Sequence, residues 1–201
     1  MKAQIKRMTE VMSLRRLNLV SLIMVSIFRV QPTHGAPTQP IFSPPQGKLS
    51  WRVVNDTVMG GRSRSQGREG AQGELIFEGQ LSLENNGGFT SIRSSEIAHL
   101  DERVTHIRLR VRGDGRRYRL LLRSTQTSRG VSYQHPFQTR ADEWVSVELP
   151  LAAFQARWRG RSISDAPALR ATEIRSVGFL LADRRAGPFR LSLSEMHGTR
   201  P

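Results

Sequence analysis

Cysteine is absent from all 201 residues. That excludes a disulfide framework, a thiolate zinc site and a cysteine nucleophile, and it leaves the compartment undetermined. Histidine is sparse. His34, His99, His106, His135 and His197 never fall two, three or four residues apart, so no metal-ligand spacing exists. No Gly-x-Ser-x-Gly elbow is present. "GDGRRY" (113–118) starts like a dinucleotide fingerprint but lacks its third glycine and lies between two strand-like runs. The residues therefore carry no positive sign of catalysis, and no cofactor or metal is expected. Long helical periodicity is missing too; only "PLAAFQARW" (150–158) could hold a short helical turn. Lysine is nearly lacking after the first residues: beyond Lys48 every basic residue is arginine, in a chain of net charge +14. Arginine grips carboxylate and phosphate with two parallel hydrogen bonds, which would suit an anionic partner; the plainer and leading reading is an arginine-biased genome and a solubilising surface.

What is present divides into three parts. Residues 1–36 combine a basic start (Lys2, Lys6, Arg7, Arg15, Arg16) with "LNLVSLIMVSIF", a largely apolar run of 12 residues. A membrane-spanning helix needs about 20, so the segment reads as a signal peptide, with an uncleaved N-terminal anchor as the rival. Export to the periplasm or exterior, or anchoring at a membrane, is the expectation, with a mitochondrial location as the alternative. Residues 37–48 hold four prolines and read as an extended linker. Residues 49–197 are long enough to bury one sizeable core.

That third part is β-rich. Apolar and polar residues alternate in 74–84, 88–93, 104–112, 117–124, 131–138, 143–150, 174–182 and 188–196, with Gly, Asp, Asn or Pro between. The expected fold is all-β, an antiparallel β-sandwich of jelly-roll type. Asp114-Gly115 reads as a two-residue type I′ hairpin loop. That register sets Arg112 opposite Arg117 and Arg110 opposite Arg119, and buries Ile107, Leu109, Val111, Tyr118, Leu120 and Leu122. One exposed face would then carry Arg108, Arg110, Arg112, Arg117, Arg119 and Arg123. Like charges directly opposite destabilise a sheet. Acidic neighbours (Glu78, Glu84 and Glu148 have outward parity) or a bound anionic lipid or polysaccharide surface would offset them.

Polar loop residues remain. Asp56, Asp114, Asp142, Asp165 and Asp183 occupy loop-like positions, where carboxylates usually close Asx turns. "VNDTVMGGRS" (53–62) reads as a structured loop with Val58 and Met59 packed on the sandwich and Gly60-Gly61 permitting unusual backbone angles. Its polar pair Asn55 and Asp56, with Asn85 and Asn86 of "NNGG", forms a candidate ligand or partner loop. Trp158 is a candidate exposed aromatic, whereas Trp51 and Trp144 look structural.

"WRVVNDTVMGGRS" (51–63) resembles the signature of the thirty-kilodalton complex I intermediate-associated protein family. The likeness continues in order through "FEG" (77–79), "NNGGFTSIR" (85–93), "RGDGRRY" (112–118), "YQHPF" (133–137), "VGFLLAD" (177–183) and "GPFRLSL" (187–193). Thr57 stands where that family usually has Gly. The resemblance implies a galactose-binding-like jelly roll, no enzymatic activity, and a role assisting assembly of NADH:ubiquinone oxidoreductase. It implies protein partners, respiratory-complex subunits among them, and nucleic acid is not expected. An exported carbohydrate-binding module is the alternative function.

Overall fold

The computed structural model describes residues 38–45, 49–128 and 130–200. The leader expectation for residues 1–36 lies outside them. Among the described residues, no helix is long and apolar enough to cross a membrane.

The strands in chain order are β1 (Thr38–Phe42), β2 (Trp51–Asn55), β3 (Arg64–Glu69), β4 (Leu75–Leu81), β5 (Thr90–Ser94), β6 (His106–Gly113), β7 (Arg117–Ser124), β8 (Ser132–Gln138), β9 (Trp144–Pro150), β10 (Gln155–Trp158), β11 (Arg161–Ser162), β12 (Ile174–Leu181) and β13 (Gly187–Thr199). They form two antiparallel sheets. Sheet I runs β3-β4-β13-β6-β9, with β1 also on β13; sheet II runs β11-β10-β8-β7-β12-β5-β2. The expected all-β sandwich is what forms.

Period-two alternation builds the core from both sides. Sheet I turns inward Ile107, Leu109 and Val111 from β6 and Phe189, Leu191 and Leu193 from β13. Sheet II meets them with Tyr118, Leu120 and Leu122 from β7 and Val177, Phe179 and Leu181 from β12. Aromatic rings tie the layer together: Phe137 lies 6.2 Å from Tyr118 and 6.1 Å from Phe179, in stacked and edge geometry.

Two expectations change. Thr38–Phe42, inside the stretch read as a linker, is a strand paired with the end of β13, and Ile41 and Phe42 enter the core. Its one proline, Pro40, is tolerated because among the described residues β1 pairs only with β13 and keeps its other side free of the ladder. The Asp114-Gly115 turn is not a hairpin. β6 pairs with β9 and β13, and β7 with β8 and β12, so the chain arches from one sheet to the other. The six expected core residues of β6 and β7 are buried, but they face each other across the sandwich instead of lying side by side. The Arg-opposite-Arg pairs do not form.

Side-chain chemistry holds the arch. Asp114 Oδ1 accepts the Arg116 amide at 3.1 Å. Its Oδ2 accepts the Tyr118 hydroxyl at 3.0 Å and the Arg190 amide at 2.9 Å. The buried Arg116 guanidinium donates twice to Asp183, at 2.9 and 2.6 Å, and also to the Pro188 and Arg185 carbonyls. This node joins the end of β6, the start of β7 and the β12–β13 connection.

Candidate functional site

Asn55 and Asp56 end β2 and open a 3₁₀ turn, Asp56–Met59. Asp56 is fully buried. Its Oδ1 accepts the Ser63 amide at 2.9 Å. Its Oδ2 accepts the Ser63 hydroxyl at 2.6 Å, the Gly88 amide at 2.7 Å and the Phe89 amide at 3.3 Å. Burial raises the pKa of such a carboxyl. The Ser63 hydroxyl and the Gly88, Ser63 and Phe89 amides outweigh that effect and hold Asp56 below the ordinary carboxylate range. Asn55 Oδ1 accepts the hydroxyls of Ser65 and Thr90, each at 2.6 Å. Ser65 lies on sheet I and Thr90 on sheet II, so the pair stitches the open edge of the sandwich.

The structure therefore brings together the four polar residues expected to share a loop cluster. Asn85 and Asn86 lie in a neighbouring 3₁₀ turn, both at positive φ, and the Asn85 amide donates to the Gly60 carbonyl at 3.3 Å. Their chemistry is inward-looking at Asn55 and Asp56, whose oxygens are already occupied, and outward at the exposed Asn85 and Asn86. Val58 and Met59 do not pack on the sandwich: they are 72% and 62% exposed. Asp56 consumes the buried space beneath the turn, and Gly61 must stay small because a Cβ there would sit 2.4 Å from Asp56 Cγ. The turn therefore presents its two hydrophobes to solvent.

The six arginines expected on one face are split between two. Arg108, Arg110 and Arg112 lie outside sheet I; Arg117, Arg119 and Arg123 lie outside sheet II. On sheet I the charges are answered locally. Arg108 meets Glu148 at 3.1 Å and Arg110 meets Glu195 at 3.9 Å. Arg110 and Arg112 lie over the Trp144 ring at 5.8 and 5.0 Å. Of the expected acidic neighbours, Glu148 pairs with Arg108, whereas Glu78 pairs with Arg68 and Arg190, and Glu84 with Arg62. Among the described residues, Arg117, Arg119 and Arg123 on sheet II form no such pair. Trp158 is 44% exposed and covered by Arg159 at 4.9 Å from its ring.

Reasoning from sequence passed over Arg116. Its buried pairing with Asp183 gave no local signal, because the partners are far apart in the chain. Among the described residues no group of three His, Asp or Glu could hold a metal ion. A cleft of about 810 Å³ lies beside β8 and β10, lined by Tyr133, Leu151, Phe154, Ile163 and Leu169. Its lining holds one carboxylate, Glu102.

The architecture is the two-sheet jelly roll of carbohydrate-binding modules. A family 11 module from Clostridium thermocellum, solved with a β-1,3-1,4-mixed-linked tetrasaccharide, superposes with a TM-score of 0.60 at 15% identity, over 82% of this chain and 98% of that one. A family 30 module of a Clostridium thermocellum cellulase gives 0.53 at 12% identity, over 82% and 98%. These likenesses concern the fold alone. The family is more specific: residues 41–193 match the complex I intermediate-associated protein 30 family, and the chain belongs to it. Relatives named probable mitochondrial complex I intermediate-associated protein 30 occur in Caenorhabditis elegans (32% identity over 141 residues) and Caenorhabditis briggsae (31% over 141). The match covers 61% of this chain and 42% of each relative, so the chain spans about two fifths of their length.

Proposed function

We propose that this protein is a non-catalytic docking module that assists assembly of respiratory complex I by holding a protein partner. The family match from residue 41 to residue 193, across both sheets, is the observation that carries the reading. The use of the motif carboxylates supports it. Asp56, Asp114 and Asp183 are each taken up by internal hydrogen bonds, so the residues most suited to acid–base work are committed to holding the fold. The test is recovery of the tagged full chain from native respiratory membranes, followed by identification of what accompanies it. Complex I subunits or their assembly intermediates are expected; their absence against an untagged control overturns the reading.

A carbohydrate-binding role is favoured by the fold likeness but opposed by the surface. Sugar sites stack rings on exposed aromatic faces, and here Trp144 and Trp158 are both capped by arginine. A glycan array is expected to show no neutral-sugar binding. The destination rests on residues 1–36. Export or anchoring predicts a protein outside the cytoplasm, with a mature end near Pro37 if the leader is removed. Fractionation with N-terminal sequencing tests this; a soluble cytoplasmic chain starting at Met1 would remove the export reading, and recovery from mitochondria would support the location named for the relatives.

A further inference from the structure

The two sheets carry their charges differently. Sheet I contains Glu69, Glu78, Glu148 and Glu195 within its strands, whereas the strands of sheet II contain no aspartate or glutamate at all. Yet Arg52 (β2), Arg93 (β5), Arg119 and Arg123 (β7) and Arg157 (β10) all lie on the outer side of sheet II. Among the described residues, none of the five forms a salt bridge, although ten such pairs exist elsewhere. The side-chain partners of Arg119 and Arg157 are neutral oxygens of Gln134, Gln155 and Gly160.

The arginines press on one another. Arg52 and Arg93 are directly paired across strands, an arrangement that costs stability. The Arg93 side chain lies against Gly178, where a Cβ would stand 3.3 Å from Arg93 Cγ, and its Nε is buried without a hydrogen-bond partner. Burial, then the nearby Arg123 and Arg52, holds the Arg93 guanidinium below its ordinary pKa; burial and Arg157 do the same to Arg119. A buried donor left unpaired costs free energy that a bound acceptor would recover.

We propose that the outer face of sheet II docks an extended acidic segment of a protein partner, whose carboxylates pair with Arg52, Arg93, Arg119, Arg123 and Arg157. The proposal rests on the protein-docking reading above and names the face and the chemistry. The spacing fits a peptide. From β2 to β10 the row crosses five strand intervals, about 24 Å at ~4.8 Å each, a length covered by about seven extended residues. The surface between the arginines is apolar as well as charged, because the half-buried Leu180 and Val54 share the outward parity, above a buried Leu121. Acidic and aliphatic side chains of a peptide match that mixture. A phosphate polymer offers nothing to the aliphatic floor, and single-stranded nucleic acid would find no aromatic platform on this face.

The experiment titrates the full chain with a glutamate–leucine copolymer, heparin, and phosphatidylcholine vesicles containing phosphatidylserine, at low and physiological salt. The copolymer is expected to bind, with affinity falling as salt rises. Arg93→Gln with Arg123→Gln should weaken copolymer binding about tenfold or more, as expected for losing desolvated charge pairs. Arg119→Gln with Arg157→Gln tests the other end of the row and should act in the same direction. Arg110→Gln with Arg112→Gln on sheet I should change nothing. Equal copolymer binding by wild type and both sheet II variants overturns the proposal. So does loss of heparin or vesicle binding in those variants with copolymer binding intact, which would assign the face to a polysaccharide or a lipid. Recovery from native membranes separates the two readings. Respiratory subunits captured undiminished by the sheet II variants keep the docking reading and sink this face. Copolymer binding that depends on the face, without respiratory subunits, does the reverse.

Discussion

Asp56 shows how one side chain can fix a loop that reads as a binding site. All four of its contacts come from donors, two amides and a hydroxyl at Oδ2 and one amide at Oδ1. Asp56→Asn would turn an N–H₂ group toward one of those donors, so it should destabilise the domain by about 1–3 kcal/mol. Thermal melting checks this; an unchanged midpoint would mean the carboxylate network is dispensable. Acid should act on the same group. Because the folded pKa lies below the unfolded value, the stabilisation is full above about pH 4 and is lost as pH falls through the folded pKa. Wild type should lose stability on acidification below about pH 4 more steeply than Asp56→Asn, in which this group no longer titrates. The adjacent glycines act for different reasons. Gly60 has φ +90° and open space around it, so Gly60→Ala should cost only backbone strain, about 1 kcal/mol. Gly61 would drive a Cβ into Asp56, so Gly61→Ala should cost more.

At the scale of elements, the arch between β6 and β7 decides the topology. Its hydrophobic alternation was legible, because Ile107 to Val111 and Tyr118 to Leu122 each put apolar residues on one face. Periodicity sets which face is buried, and a sandwich satisfies that parity with strands side by side or in opposite sheets. The distinction lies in the reach of Asp114 to Arg190 and of Arg116 to Asp183, contacts between positions 76 and 67 residues apart. Other strands were invisible for simpler reasons. β3, "RSQGRE", has no apolar residue to mark a period, and it lies at a sheet edge. β2 was hidden by the Asn55-Asp56 pair that ends it. The arch makes a testable demand. Arg116→Gln leaves Asp183 without its charge partner, only 15% exposed, and should cost about 3 kcal/mol. Adding Asp183→Asn should recover part of that loss, and a double-mutant cycle measures the coupling. Strictly additive costs would show that the pair does not act as a unit.

Across the whole molecule, the arginine excess is arranged, not merely abundant. The sequence made the excess plain but joined the wrong residues into one face, since strand partners decide which side an arginine occupies. On sheet I, Arg68, Arg108, Arg110 and Arg190 meet glutamates and Arg112 lies over Trp144, while on the outer side of sheet II Arg52, Arg93, Arg117, Arg119, Arg123 and Arg157 meet no carboxylate among the described residues. The same kind of substitution should therefore have opposite effects on the two sheets. Arg93→Gln with Arg123→Gln removes like-charge repulsion and should raise the melting temperature at low ionic strength. Arg108→Gln removes a partly exposed pair with Glu148 and should lower it slightly, by no more than about 1 kcal/mol in stability. Salt should shrink both differences, because screening reaches about 8 Å at physiological ionic strength and the interacting charges are at the surface. Melting curves of the two variants at low and high salt check the arrangement. Shifts of the same sign in both would mean that local packing, and not the distribution of charge between the sheets, controls the response.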